Sequence, residues 1–583
     1  MTSSGLRRGS LSAVTLVSIA ATYEGRAPLS IGRLGNDFVF ECGAGGGDVL
    51  GLEGSATAEM VNEAVVQTSA GRVSGAVGAG VLRFVGVPYA APPVGARRFR
   101  PPAPPPPWEG VLPCTDARPA CPQTPAVRER YRPLGGYDED CLTLNIWTPA
   151  LDDAKRPVVL FLHGGGFTSG SGTVGVYDSR HFAEHGVVGV TCNYRLATLG
   201  FLHLDELFDG FAGSGNNGLL DQIAALEWIA ENIARFGGDP GNVTIYGSSA
   251  GGISVCALMA SARARGLFTR AVPISCAAGI AFSAETATAV ARTVLERAGV
   301  RPGDLDALYA TPLERFVGNA EMIREVMAML RDRGVEPAPF LPVVDGHLLE
   351  RDPFDAVSAG EASGIDLLIG VTGEESGARH SAVRPAIDAM RLAEVPTFRP
   401  DPDAGFDFTR LFGAGCHEPE IVSAYESSLR HAGRPHERAD LYALAHADVR
   451  MLHPTMAFAA AHARHHRDTW AFRFVWPSPA FDGALGAFHG VTTPFLFANL
   501  DAPGWEPVIG ADPPRSLGDD VHGAIVSFAA GGVPVAATAR GWERYDGERH
   551  ATMLFDAPVS RPVVDPEAGR RRVYETVAIR AMR

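Results

Sequence analysis

A short glycine-rich segment constrains the fold of this chain more than any other feature. Gly247–Gly252 reads Gly-Ser-Ser-Ala-Gly-Gly, follows the apolar run Val243–Tyr246, and precedes a segment with helical character. Glycines on both sides of a serine allow a sharp turn between a strand and a helix, with the hydroxyl raised above the sheet edge. The pattern therefore predicts a strand, a tight turn and a helix, with Ser249 as the candidate nucleophile.

A second glycine strip lies upstream of this turn. His163–Phe167 reads His-Gly-Gly-Gly-Phe and follows Val158–Leu162, an apolar run typical of a buried strand. Acyl transfer requires donors for the oxygen of a tetrahedral intermediate, and backbone N–H groups without side chains can approach that oxygen closely. We expect an oxyanion hole formed by the N–H groups of Gly165, Gly166 and Ala250. Glycine triplets also occur in ordinary loops, so the order of the two motifs carries the prediction.

Further motifs at fixed spacings make the chain resemble the type-B carboxylesterases, the family that includes the cholinesterases. The resemblance runs from about Gly71 to near the C-terminus and is tightest between Val81 and Val255. It implies an α/β-hydrolase fold: a central, mostly parallel, twisted sheet with flanking helices and helical cap insertions. Besides the two glycine motifs, it is carried by Gly86–Ala90, Glu139–Asn145, Asn193–Leu196, Asn217–Gln222, Ala225–Trp228 and Phe236–Pro240.

The resemblance implies a catalytic triad in the chain order Ser, Glu, His. Its glycine-to-acid spacing selects Glu375, although Glu374 is a neighbouring alternative that we interpret as a solvated loop charge, and Ser376 stands where relatives usually have glycine. The base is expected on a loop after a late strand, and Thr469–Trp476 has strand composition. The histidine that follows it in the family pattern is His489.

The predicted activity is serine carboxylic-ester hydrolysis on small to medium esters of broad range, without a cofactor or metal. Alternatives are a non-catalytic cholinesterase-like binding module, or hydrolysis of amides or carbamates by the same triad. Ser248 and Thr492 occupy positions where relatives commonly carry glutamate. Fewer negative charges near His489 predict a less stabilised imidazolium and slower turnover. The choline-site tryptophan has no counterpart between Cys121 and Cys141, which disfavours choline esters.

Composition limits the kinds of partner that the chain is expected to bind. The net charge of −15 argues against nucleic acid, and no run of eighteen apolar residues exists to span a membrane. His462 and His466 lie four residues apart without the carboxylate of a zincin motif, so we expect no metal there. We expect a monomer or weak oligomer. The resemblance also implies a disulfide between Cys121 and Cys141, whose formation would depend on the cellular compartment.

The chain divides into a leader, residues 1–59, and a hydrolase domain, residues 60–583. The leader contains Arg7, Arg8 and a short apolar segment, as in a weak signal peptide, but Met60 is an alternative start. The protein would be secreted in the first case and cytoplasmic in the second. Residues before about Glu63 are predicted to be poorly ordered. Helical cap elements are expected over about 280–333 and 386–467, where they would shape the acyl and alcohol pockets.

Overall fold

The computed structural model describes residues 30–34, 37–41, 64–78, 80–124, 131–335, 338–375, 406–412, 416–434 and 436–576. Two compact units are present, residues 1–60 and 61–583. In the first, strands β1 (Ser30–Leu34) and β2 (Asp37–Glu41) pair antiparallel, with Ser30 opposite Glu41. The rest of the leader lies outside the described residues, and its poor order stays a prediction.

A large twisted sheet forms the centre of the second unit. Among the described residues it has thirteen strands, in the order β17-β16-β15-β14-β11-β10-β8-β9-β7-β5-β4-β3, with β6 paired to β4. The segment from β9 to β16 is parallel, and antiparallel strands extend it at both ends. The strands are β3 (Ala64–Gln67), β4 (Arg72–Gly78), β5 (Val81–Pro88), β6 (Val111–Pro113), β7 (Thr143–Thr148), β8 (Arg156–Leu162), β9 (Val188–Cys192), β10 (Gly238–Ser248), β11 (Arg270–Ile274), β14 (Asp366–Thr372), β15 (Thr469–Phe474), β16 (Ala551–Phe555) and β17 (Arg561–Val564), while β12 (Phe282–Ser283) and β13 (Val343–Val344) pair separately.

Helices cover the sheet and form the insertions between its strands. Both predicted cap regions contain helices where they are described, between residues 284 and 332 and between residues 408 and 463, while residues 386–405, 413–415 and 435 lie outside the described part. No described helix is both long and apolar enough to cross a membrane. The helices are α1 (Arg180–Glu184), α2 (Ala197–Phe201), α3 (Asn217–Asn232), α4 (Ala250–Ala260), α5 (Ala284–Ala298), α6 (Leu305–Ala310), α7 (Ala320–Asp332), α8 (Pro353–Ser358), α9 (Phe408–Phe412), α10 (Glu418–His431), α11 (Arg438–Ala447), α12 (His453–Ala463), α13 (Thr493–Leu496), α14 (Glu506–Ile509), α15 (Arg515–Gly531) and α16 (Ala568–Thr576).

The central parallel strands read as continuous apolar runs because both of their faces are buried. Val158–Leu162 in β8 and Val243–Ser248 in β10 are buried throughout. Helices on the two faces of a parallel sheet require this composition, whereas a half-exposed strand would alternate. The carboxyl ends of parallel strands meet at one edge, and ligands bind there in open α/β sheets. The fold is thus the predicted α/β-hydrolase architecture, and it brings the chain segments after β8, β10, β11, β14 and β15 to one edge.

Polar residues of the sequence motifs brace the connections near this edge. Arg195 and Asp221 form a buried ion pair, with Arg195 Nη2 2.7 Å from Asp221 Oδ1 and the backbone N–H of Arg195 3.0 Å from Oδ2. Asn193 Oδ1 accepts hydrogen bonds from the Gly172 N–H and the Ser171 hydroxyl. Removing one member of a buried pair leaves an uncompensated charge, which typically costs about 3–5 kcal/mol. Loss of Arg195 or Asp221 alone should therefore destabilise the fold.

Candidate active site

Ser249 occupies a strained turn between β10 and α4. Its backbone has φ 59° and ψ −124°, a left-handed conformation that is rare for a residue with a side chain. The Ser249 N–H donates to the Ile274 carbonyl at the end of β11, 2.9 Å away. A Cβ on Gly251 would overlap the Leu162 carbonyl, so only glycine allows helix α4 to approach β8 this closely. The turn leaves Ser249 partly exposed among buried neighbours.

The glycine strip after β8 lies beside this serine. A Cβ on Gly164 would be 3.1 Å from the Ser249 Cβ and 2.7 Å from the Ser248 carbonyl oxygen. Gly165 and Gly166 have φ of 118° and 61°, and both are exposed. Within the described part of the chain, no acceptor takes the N–H of Gly165 or Gly166. Ala250 begins α4, where N–H groups have no acceptor within the helix.

A buried histidine and tyrosine support the start of the strip. The His163 ring stacks on Tyr194 with ring centroids 4.2 Å apart, and the Tyr194 hydroxyl donates to the His163 carbonyl at 2.6 Å. Burial lowers the pKa of His163 to about 4, so the ring is neutral at neutral pH. Its Nδ1 lies 2.9 Å from the Gly164 carbonyl oxygen. This contact links the ring directly to the glycine strip.

Gln123 holds the far end of the same loop and was not singled out by the sequence analysis. Its Oε1 accepts the Gly170 N–H at 2.8 Å, and its Nε2 donates to the Gly170 and Cys121 carbonyls at 2.8 and 3.0 Å. The side chain is buried. Gln123 thus ties the glycine loop to a segment more than forty positions earlier in the chain. The sequence around Gln123 has a preceding proline and no periodic pattern, so it does not predict this contact.

Glu375 and His489 meet through a buried hydrogen bond. His489 Nδ1 lies 2.5 Å from Glu375 Oε2, and the other carboxylate oxygen accepts the Thr372 N–H at 2.7 Å. Burial by itself raises the pKa of the Glu375 carboxyl, but the neighbouring His489 and these hydrogen bonds outweigh burial and hold that pKa below its usual value. The carboxylate is therefore ionised at neutral pH, and it orients the imidazole with Nε2 as the remaining nitrogen.

The two groups of residues share the sheet edge through β11. Ser249 bonds to Ile274, as described above, and the next residue, Ser275, donates its N–H to the Gly370 carbonyl of β14 at 2.8 Å. Strand β14 then leads directly into Glu375. The structure thus places the glycine strip beside Ser249 and Glu375 beside His489. The ends of strands β11 and β14 lie between these two groups.

Glu374 differs from the prediction of a solvated loop charge. Its side chain is only 13% exposed, forms an ion pair with Arg434 and accepts the Ala487 N–H. Its own N–H donates to the Ala487 carbonyl at 2.9 Å. The prediction was wrong because sequence spacing does not show that residues 434 and 487 lie beside residue 374.

Ser248 and Thr492, which replace the family glutamates, are both buried. The Thr492 hydroxyl has no hydrogen-bond partner among the described residues. Cys121 and Cys141 are buried free thiols, and the Cys141 thiol hydrogen-bonds to Cys121, which together with burial raises the pKa of Cys141. The disulfide implied by the resemblance is not formed in this structure and stays a prediction.

A group with metal-ligand chemistry lies at the opposite end of β14 and β15. Asp366, His466 and Asp468 have ligand atoms within 4.8 Å of one another. Arg270 lies 3.2 Å from Asp366, and Arg544 lies 2.7 Å from Asp468, so each carboxylate already faces a positive charge. This group therefore carries no metal assignment. His462, the other histidine of the predicted helix, has Nδ1 2.8 Å from the Thr469 hydroxyl.

Comparisons with known proteins identify the family of this chain. Residues 62–568 match the model of the carboxylesterase family. Para-nitrobenzyl esterase of Bacillus subtilis is 35% identical over 513 residues, covering 87% of this chain and 98% of the relative. Phenmedipham hydrolase of Pseudarthrobacter oxydans is 33% identical over 525 residues, covering 87% and 99%.

Solved structures give the same relationship. A carboxylesterase of Geobacillus stearothermophilus, crystallised at pH 6.2, superimposes with a TM-score of 0.72 and 36% identity, covering 88% of this chain and 99% of the other. Both the sequence match and the structural match extend over nearly the whole second unit. The chain belongs to the carboxylesterase family.

Proposed function

We propose that the protein hydrolyses small to medium carboxylic esters of broad range with Ser249 as nucleophile, His489 as base and Glu375 as the acid that orients it. The observation that carries this assignment is the buried 2.5 Å hydrogen bond between His489 Nδ1 and Glu375 Oε2, at the sheet edge that bears Ser249. An ionised carboxylate on Nδ1 leaves Nε2 to accept a proton and stabilises the imidazolium that results.

The proposed first half-reaction forms an acyl-enzyme. Ser249 Oγ attacks the ester carbonyl carbon while its proton moves to His489 Nε2. The carbonyl oxygen becomes an oxyanion and accepts hydrogen bonds from the N–H groups of Gly165, Gly166 and Ala250. Collapse of this intermediate breaks the ester C–O bond, and His489 gives the proton to the departing alcohol. Losing one donor of this kind typically costs about 10²–10³ in turnover.

The second half-reaction repeats the sequence with water. His489 takes a proton from water as the water oxygen attacks the acyl carbon, and the protonated histidine then returns the proton to Ser249 as the carboxylic acid leaves. All of the proposed groups come from one chain, so a monomer or weak oligomer would suffice. Light scattering of the purified protein would check that state.

Hydrolysis of short-chain p-nitrophenyl esters by the wild-type protein and by Ser249→Ala tests the proposal. We expect measurable turnover in the wild type and a loss of about 10⁴-fold or more in the variant. Folded wild-type protein without turnover would favour the non-catalytic binding module instead. Matched amide and carbamate substrates in the same assay would show whether the triad also cleaves those bonds.

A further inference from the structure

We propose that Glu374, ion-paired to Arg434, is a positioning residue that holds the loop bearing His489 in register with Glu375. This inference rests on the proposed function, because it concerns how the proposed base reaches its working position. Glu374 neither touches the imidazole in the described contacts nor belongs to the triad implied by the family resemblance.

Two adjacent carboxylates hold alternate residues of the histidine loop. The Glu374 side chain accepts the Ala487 N–H, and the Glu374 N–H donates to the Ala487 carbonyl at 2.9 Å. The backbone of Glu374 pairs with Phe488 in a parallel bridge. One residue further along each segment, Glu375 binds His489. A shift of the loop at Ala487 would therefore change the Glu375–His489 distance directly.

The histidine loop needs such an anchor because it is long. Residues 475–488 separate the end of β15 from His489, and the Ser478 N–H bonds to the Gly486 carbonyl, which closes most of this segment on itself. Ala487 and Phe488 then pass into the core with almost no exposed surface. The Glu374 segment, which follows directly from β14, holds their backbone through two hydrogen bonds to Ala487 and the bridge to Phe488.

Arg434 reaches Glu374 from the second helical insertion, here meaning helices α10–α12. Helix α10 ends in a Schellman motif: Gly433 has φ 64°, its N–H bonds to the Arg430 carbonyl, and the Arg434 N–H bonds to the Leu429 carbonyl at 2.9 Å. This turn directs Arg434 off the helix axis, and its side chain is 22% exposed in the ion pair. The residue that follows cap helix α10 thus contacts the residue next to Glu375 in the proposed active site.

The pairing also indicates how Glu374 acts. Arg434 compensates the Glu374 charge, so the carboxylate adds little net negative potential at His489. Its two side-chain contacts, with the Ala487 N–H and with Arg434, give Glu374 a geometric role. Misplacing a catalytic group by about 1 Å can cost about 10²-fold in rate. A positional role therefore predicts that a neutral acceptor of the same shape will work nearly as well.

The test compares Glu374→Ala, Glu374→Gln and a control, Glu418→Ala, which removes the Glu418–Arg438 ion pair at the start of the same insertion. Each protein is treated with excess phosphonofluoridate, the labelled fraction is counted by intact mass, and kcat is expressed per site that can be labelled. We expect Glu374→Ala to lose about 10- to 100-fold in kcat with KM within about twofold. Glu374→Gln should keep kcat within about threefold of the wild type and leave the acid limb of the pH–rate profile unchanged. Glu418→Ala should match the wild type in both.

Two results would overturn the inference. One is a Glu374→Ala protein whose kcat per labelled site equals that of the wild type. The other is a Glu374→Gln protein as slow as Glu374→Ala with a displaced acid limb, since that would mean Glu374 acts through its charge. If Glu374→Ala does not fold, Glu374→Met, which fills similar space without an acceptor, decides: a kcat at least about tenfold below that of Glu374→Gln supports the role, and a kcat equal to that of Glu374→Gln contradicts it. Absent labelling of the wild type would instead defeat the proposed function.

Discussion

The two sides of the proposed active site are built in different ways. On the nucleophile side, Ser249 and the glycines of its turn are placed mainly by backbone sterics: a left-handed serine, and a Gly251 where a Cβ would overlap β8. On the acid–base side, Glu375 and His489 are placed by side chains from distant parts of the chain, including the Glu374–Arg434 pair.

This difference predicts different kinds of failure. A side chain added at a glycine on the nucleophile side would push backbone segments apart. It should lower the free energy of unfolding, because close-packed interiors do not accommodate an added carbon. A wrong residue on the acid–base side removes a hydrogen bond or an ion pair and should leave folded protein with slow turnover. Separate measurements of stability and of kcat distinguish the two.

The largest expected effect is on the acid–base side. Glu375→Gln should lower kcat about 10³- to 10⁴-fold, because a neutral amide can neither stabilise the imidazolium nor enforce its tautomer. The fold should survive, since the amide oxygen can still accept the Thr372 N–H. Steady-state kinetics with a p-nitrophenyl ester and circular dichroism check both parts. A loss below tenfold would mean that Glu375 is not the acid.

On the nucleophile side, Gly251→Ala should be destabilising by more than about 3 kcal/mol, because its Cβ would overlap the Leu162 carbonyl. The matched control is Gly523→Ala in α15, where the nearest atom to an added Cβ is 3.8 Å away. That change should be neutral or stabilise the protein by up to about 1 kcal/mol. Urea unfolding of both variants measures the contrast, and equal stabilities would contradict it.

As the pH falls, the free energy of unfolding should drop because of His163, on the nucleophile side, before it drops because of Glu375. Burial lowers the pKa of His163 to about 4 from an ordinary value of 6.5, so below pH 6.5 the unfolded chain binds a proton that the folded protein refuses. Stability is therefore full above pH 6.5 and falls as the pH drops towards 4. Between pH 7.5 and 5 this site should cost about 2 kcal/mol.

His163→Asn should remove that contribution, giving a smaller loss of unfolding free energy between pH 7.5 and 5 than in the wild type. The exposed His431→Asn, at the end of α10, is the control and should retain the wild-type pH dependence. The Glu375 carboxyl, whose pKa is held low, contributes stability that is lost only at lower pH, as the pH falls through its folded-state value. If His163→Asn loses as much unfolding free energy between pH 7.5 and 5 as the wild type, His163 does not destabilise the folded protein in acid.

The smallest expected effect concerns the missing family glutamates. Ser248→Glu should move the acid limb of the pH–rate profile about 0.5–1 pH unit higher, because a negative charge near His489 favours the imidazolium. Ser248→Gln, which has the same shape without the charge, should leave the limb in place. Identical profiles for the two variants would show that the loss of glutamate at this position does not influence the base.

The sequence predicted the nucleophile side well because its determinants are local. A buried strand, a glycine turn and a helix appear consecutively in the printed sequence, and the strip after β8 does too. The strands that precede Glu375 and His489 were also predictable from their composition. The contacts of Gln123, Glu374 and Arg434 were not, because each joins segments separated by 47 to 113 positions and has no periodic signature.

The most direct test is the site of covalent modification by a phosphonofluoridate. The serine oxygen would displace fluoride at phosphorus while its proton passes to His489, leaving a stable phosphonyl ester. Peptide mass spectrometry should find one adduct per chain, on Ser249, formed far more slowly in Glu375→Gln. An unlabelled folded protein, or an adduct on another residue with Ser249 unmodified, would contradict the assignment of Ser249, His489 and Glu375 as the catalytic centre.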